Sequence, residues 1–334
     1  MNRFSPQTGL EQTWRPMPFW SWNDTLNQEE LRRQVRLMHQ AGIGGFFMHA
    51  RGGLGTEYLS REYLECISAA VEEALRYGME PWLYDENGWP SGYGGGRVNG
   101  MGEEFQQKFL QCVPFSPEID PEKVVACYRL RDGSRCDIDT AARLSSECIV
   151  LHWDVNPCYV DLLHPEVTDA FIASTYEFCY ANLPEHVAAG IAGVFTDEPQ
   201  LRIGQVFYSP WFYRYFSRNY HCDIRNELIK LYYDYPGSER FRQCFYRAAG
   251  SWFAENYTKK IQAWCQKHRW RFTGHQVQEV NYAEQTLSSG AVSFHYPFYD
   301  MPGIDHLGRN EPDIFVARQM TSIAAQFARK RRMV

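Results

Sequence analysis

Residues 17–51, MPFWSWNDTLNQEELRRQVRLMHQAGIGGFFMHAR, hold one complete structural unit. A short apolar run at 17–22 ends in Asn23 and Asp24. Asn27 and Glu30 then stand at the spacing of a capping box. The helix they open places Leu31, Val35 and Met38 on one face, and Gly42 stops it. A second apolar run at 43–49 ends in His49 and Arg51. Strand, helix, glycine and strand in this order predict a βα unit of a parallel sheet.

Outward from that unit the pattern repeats. Ser60 opens a helix with Leu64, Ile67, Val71 and Leu75 on one face, Gly78 closes it, and a third run at 81–84 ends in Asp85 and Glu86. Residues 93–147 break the period with a glycine-rich stretch and a polar segment, read as an insertion on the third βα loop. The pattern is expected to resume at 148–153, followed by a helix over 165–183 and a fourth barrel run at 191–196. A long helix containing Trp252, Tyr257, Ile261 and Trp264 precedes a fifth run at 271–275. A sixth run near 299–304, a helix over 313–329 and the opening of a seventh strand at 332–334 complete the count. The expectation is one domain over 1–334, a (β/α)8 TIM-type barrel that is incomplete at about six strands plus the start of a seventh. Insertions near 93–147, 200–240 and 277–297 carry the surplus length.

Composition narrows the function. The 334 residues carry a net charge of −6, which argues against a polyanion such as nucleic acid, because phosphate binding needs a clustered basic surface. The dense basic run Arg329 to Arg332 ends a helical stretch, where cations complement the helix dipole. Ten cysteines are scattered without a CxxC pair, so no zinc site is seeded. The opening residues lack the apolar segment of a signal sequence, and no later stretch approaches the ~20 apolar residues of a membrane span. A soluble, cytoplasmic chain without membrane partners is expected. Dinucleotide, Walker and GxSxG signatures are absent.

Two constellations carry chemistry. Gly193-Val194-Phe195-Thr196-Asp197-Glu198-Pro199 runs a small apolar strand into two carboxylates. Glycosidic cleavage needs one carboxyl group to protonate the leaving oxygen and a second to activate water or attack the anomeric carbon. Glu198 is the candidate acid, expected to face Asp85 or Glu86 across one cavity; the competing reading is a helix cap. Trp82-Leu83-Tyr84-Asp85-Glu86-Asn87-Gly88-Trp89-Pro90-Ser91-Gly92 packs acids and tryptophans around a strand end. Acids can hold sugar hydroxyls while tryptophan faces carry the sugar ring, and the competing reading is a polar loop with Trp89 tucked into the core. His49 with Arg51, His275 with Gln276 and Glu279, and Asp305 with His306 add weaker signals. Histidines on separate strands have no ligand spacing, whereas oxygen-rich calcium binding leaves little trace in sequence.

Taken as a set, Pro18-Phe19-Trp20-Ser21-Trp22-Asn23, Gly44 to Arg51, Tyr84 to Gly92, Phe195 to Pro199 and Pro302-Gly303-Ile304-Asp305-His306-Leu307 resemble the barrel of the glycoside hydrolase family 106 α-L-rhamnosidases. The resemblance implies hydrolysis with inversion at terminal α-L-rhamnose, an oligosaccharide or glycoside substrate, and calcium as the cofactor to consider. It places Glu198 as catalytic acid, with Asp85, Glu86, His49 and Arg51 in the sugar pocket; Trp89, Asp197, His275, Asp305, His306 and Trp22 complete the residues expected to bind substrate. It also implies a second catalytic glutamate on a strand beyond Val334, so this chain alone is expected to be nearly inactive. A non-catalytic carbohydrate-binding remnant, or a glycosidase for another deoxy sugar or a uronic acid, stays open.

Overall fold

A computed structural model describes residues 15–201, 204–305 and 314–328. Eleven strands are present among them: β1 Phe19–Trp22, β2 Gly45–Ala50, β3 Glu80–Tyr84, β4 Gln106–Pro114, β5 Val124–Arg129, β6 Arg135–Cys136, β7 Cys148–Val160, β8 Gly193–Asp197, β9 Val206–Tyr208, β10 Arg271–His275 and β11 Met301–Pro302. They form two sheets of opposite character.

The first sheet has the order β1-β2-β3-β8-β10-β11 and every pairing is parallel. Its strands follow chain order once the second sheet is set aside, as βα units require. Both faces are apolar, the normal state of a parallel sheet. Phe47, Trp82, Tyr84, Phe195 and Met301 pack together on one face. Their neighbours Phe46, Met48, Leu83, Val194 and Phe272 point the other way, into the larger core beneath the helices. The register brings Ser21 beside His49, Tyr84 beside Phe195, Asp197 beside His275 and Gly274 beside Pro302, so the C-terminal strand ends share one rim.

Local chemistry sets the helices. Asn27 accepts from the Glu30 N–H at 3.0 Å and opens helix Gln28–Gln40. The Glu30 side chain turns to Arg33 and Gln34 instead of back to the cap, so only half of the capping box forms. Ser60 caps helix Arg61–Arg76 through the Tyr63 N–H. That helix buries Leu64, Ile67 and Val71, but Leu75, expected on the same face, is 42% exposed in its last turn. The stretch before β10 is two helices, Ser238–Asn256 and Thr258–His268, broken at Tyr257.

The second sheet corrects the sequence reading of the insertion. Residues 148–153 do not resume the βα pattern; they open β7, the centre of an antiparallel sheet ordered β6-β5-β7-β4-β9. The polar segment at 93–147 supplies β4, β5 and β6, and the loop after β8 supplies β9. Tyr159 at the end of β7 donates to the Ser91 carbonyl at 2.6 Å, tying this sheet to the loop after β3. All ten cysteines are free. No helix among the described residues is long and apolar enough to cross a membrane. The expected seventh strand at 332–334 and the basic run at 329–332 lie outside the described residues.

Candidate active site

The rim is built from inward-facing residues at the ends of β2, β3, β8 and β10. Asp197, the last residue of β8, is buried and fixed from two sides: His275 Nε2 lies 2.8 Å from Oδ1, and the Tyr84 hydroxyl lies 2.6 Å from Oδ2. Burial would raise the Asp197 carboxyl, but the hydrogen bond and charge of His275 hold it below the usual carboxylate range. Burial likewise opposes a charge on His275. The Asp197 hydrogen bond and the carboxylates of Glu279, Asp197 and Glu198 prevail and lift the imidazole to about 10. His275 is therefore a cation at neutral pH, clasped between acids.

Glu198 follows directly, with φ +47 at the strand's end and its side chain half-buried. Burial raises its carboxyl above the ordinary carboxylate range, and the charges of Asp197 and Asp305 add to the rise. The His275 cation and the indole N–H of Trp89 work against it. That N–H donates to Glu198 Oε2 at 2.7 Å. A raised carboxyl group at a strand end is what a general acid requires at neutral pH.

The loop after β3 is organised from within. Glu86 is fully buried, and its carboxylate accepts five backbone N–H groups, those of Asn87, Gly92, Tyr93, Gly94 and Gly95. Asp85 follows the inward Tyr84 and so points to the opposite face, where Ser91 and Tyr176 donate to it at 2.5 and 2.6 Å. Burial pushes both acids up to about 7. Neither faces Glu198, contrary to the sequence expectation, and the carboxylates of both are engaged inside the protein. Ser91, which that reading passed over, links the two faces by donating to Asp85 and accepting from the Asp197 N–H at 2.8 Å.

The remaining candidates divide. Asp305 is exposed at the rim beyond β11, and its N–H donates to Glu279 Oε2 at 3.1 Å. Glu279 also accepts from Tyr296 and from the Gln276 N–H, so it joins the β10 and β11 loops. His49 is buried and stacked on Tyr84 with centroids 3.6 Å apart; burial lowers it to about 4, so it is neutral. Arg51 is exposed just past β2. Trp22 is not in the site: it is buried against Trp20 and Tyr63 on the helix side of the sheet. His306 lies outside the described residues. Tyr84, Ser91, Tyr176 and Tyr296 carry much of the hydrogen bonding, yet isolated Tyr and Ser codes gave no sequence signal for it.

Glu198, His275 and Asp305 each offer one donor atom, all within 4.8 Å of one another. The set does not suit calcium, which takes about six to eight oxygen ligands. Two carboxylates stand here beside a histidine whose protonated form is stabilised by the Asp197 carboxylate.

No protein-family model matches the chain, and no curated sequence is similar to it. Its structure is similar to that of a rhamnosidase from Novosphingobium sp. PP1Y, with a TM-score of 0.66 at 12% identity over 95% of this chain and 52% of that one. The chain thus spans about half the length of that enzyme. A cycloisomaltooligosaccharide glucanotransferase from Paenibacillus sp. follows, with a TM-score of 0.40 at 10% identity over 97% of this chain and 38% of that one. An exo-β-N-acetylglucosaminidase of glycoside hydrolase family 20 from Vibrio harveyi gives 0.34 at 10% identity over 92% and 40%. The last two are too distant to weigh. At 12% identity the first likeness shows the fold alone.

Proposed function

We propose that this chain carries the acid half of a glycoside hydrolase centre that releases a terminal deoxy sugar, α-L-rhamnose on the motif resemblance. The six parallel strands then count as consecutive strands of a (β/α)8 barrel with its active rim at their C-terminal ends. One observation carries the reading: Glu198 stands on that rim with its carboxyl raised by burial and with the Trp89 N–H on one oxygen. In this role the other oxygen protonates the glycosidic oxygen as the bond to the anomeric carbon breaks. The Asp197–His275 pair beside it keeps charge balanced while Glu198 changes state.

Asp305 is not the partner expected of an inverting enzyme. One of its oxygens lies within 4.8 Å of Glu198, nearer than the roughly 6.5–9.5 Å that admits a water between the carboxyl groups and close to the about 5–5.5 Å of a retaining pair. On the motif resemblance, the second carboxylate of an inverting reaction is a glutamate outside the described residues, whereas a retaining reaction would use Asp305 as the partner.

Glu198→Gln tests the reading in the full-length protein. Turnover of a rhamnosyl disaccharide should fall by roughly 10²–10⁴, the usual worth of general acid catalysis. An aryl rhamnoside whose phenol leaves without protonation should fall far less. Equal losses on the two substrates would remove Glu198 from the acid role, and a wild-type protein that binds rhamnosides without cleaving them would establish a binding function instead.

A further inference from the structure

We infer that Trp89 is the leaving-group platform of this site and fixes which oxygen of Glu198 holds the transferable proton. The inference rests on the reading of Glu198 as general acid. The side chain is 48% exposed, yet its indole N–H is committed to Glu198 Oε2 at 2.7 Å. A donor on Oε2 leaves the proton of the neutral carboxyl on Oε1, because an oxygen accepting a hydrogen bond is better left with its lone pair. That proton is delivered to the oxygen of the departing group. A side chain gripping the other oxygen of the same carboxyl therefore flanks the leaving group, not the sugar ring being released.

The mounting of Trp89 supports this. Single exposed apolar residues are ordinary on a protein surface. This one sits in a loop held at nearly every residue: Glu86 binds the N–H groups of residues 92–95, the Ser91 N–H donates to Asp197 O at 2.8 Å, and the Tyr159 hydroxyl holds the Ser91 carbonyl. An exposed aromatic face on a loop so hydrogen-bonded binds a flat apolar surface with little ordering cost. The occupant it fits is a ring, a pyranose or an aryl group, and not a short alkyl alcohol.

The test compares Trp89→Ala and Trp89→Phe in the full-length protein, with circular dichroism and melting temperature as folding controls. Trp89→Ala should weaken binding of a rhamnosyl disaccharide roughly tenfold, read by titration calorimetry, while free L-rhamnose binds as before. Among hydrolysed substrates the loss should appear in KM for the disaccharide and be small for methyl α-L-rhamnoside. Trp89→Phe should restore much of the disaccharide KM. It lacks the N–H, and so should move the basic limb of the pH profile upward by about 0.5–1 unit as Glu198 loses a bond to its charged form. His275, Asp197 and Asp305, the other charged groups facing Glu198, are unchanged in that comparison. Equal weakening of disaccharide and free rhamnose, an unmoved basic limb in Trp89→Phe, or no disaccharide binding by the wild type would each overturn the inference. A wild type that shows the binding contrast but no hydrolysis would overturn the acid reading and the proton assignment, with the ring-binding face left standing.

Discussion

At the scale of single residues, the acids of the β3 loop show how one side chain can be claimed by the backbone. The sequence places Asp85 and Glu86 together at a strand end, and both look available for substrate. Strand alternation already separates them, because Tyr84 takes the inward position and Asp85 must take the outward one. The fate of Glu86 is harder to foresee, since five converging N–H groups exist only once the glycine-rich loop has folded. Gly92, Gly94 and Gly95 all adopt positive φ there, and that cluster was the visible trace of the loop's shape. We expect Glu86→Ala to lower stability by about 2–4 kcal/mol, because buried donors would lose their acceptor. Glu86→Gln should cost nearly as much, since an amide replaces one accepting oxygen with a donor. The shift in the urea midpoint measures both, and an unchanged midpoint for the alanine variant would mean that the loop is held by other contacts.

Among the elements, the parallel strands were legible, whereas of the antiparallel ones only the start of β7 at 148–153 was, and its apolar run reads as a strand of the wrong sheet. Each of the six apolar runs, including 191–196 and 271–275, became a strand of one sheet, because a strand buried on both faces reads as a continuous hydrophobic run. The insertion strands β4 to β7 carry mixed residues such as Gln106, Lys108, Asp154 and Asn156, whose pairing is fixed by tertiary partners more than by pattern. Strand β11 is only two residues long, Met301–Pro302, and ends before Gly303. Within the parallel sheet, β10 holds His275 in register with Asp197, and Gly274 makes that possible. Its φ is +151, and a Cβ there would collide with the Thr196 carbonyl on β8. Gly274→Ala should therefore force the two strands apart and stretch the Asp197–His275 contact, costing about 2–3 kcal/mol. Chemical denaturation reads the cost, and a variant as stable as the wild type would show that the strands separate without strain.

Across the whole molecule, the charged core of the site makes folding depend on pH in a direction that can be worked out. His275 is lifted to about 10, whereas an unfolded histidine titrates near 6.5. Between those values the folded chain keeps a proton that the unfolded chain has released, so the stability contributed by His275 is complete below about 6.5 and is lost as pH rises toward 10. Asp85 and Glu86, lifted to about 7, act with the same sign, chiefly between pH 4 and 7. His49 and His295, lowered to about 4 by burial, act with the opposite sign and only below about 6.5. In the window from pH 7 to 8, below the range in which ordinary thiols titrate, His275 gives the largest single share and the tails of Asp85 and Glu86 add to it. One proton difference corresponds to about 1.4 kcal/mol per pH unit. The melting temperature should fall across that window, and the fall should be clearly smaller in His275→Gln, which is less stable at pH 7 and keeps only the share of Asp85 and Glu86. A His275→Gln variant with the same slope as the wild type would mean that His275 is neutral in the folded protein and that the Asp197 pair is an ordinary hydrogen bond. Glu198 would then lack its neighbouring cation, and its carboxyl would lie higher still.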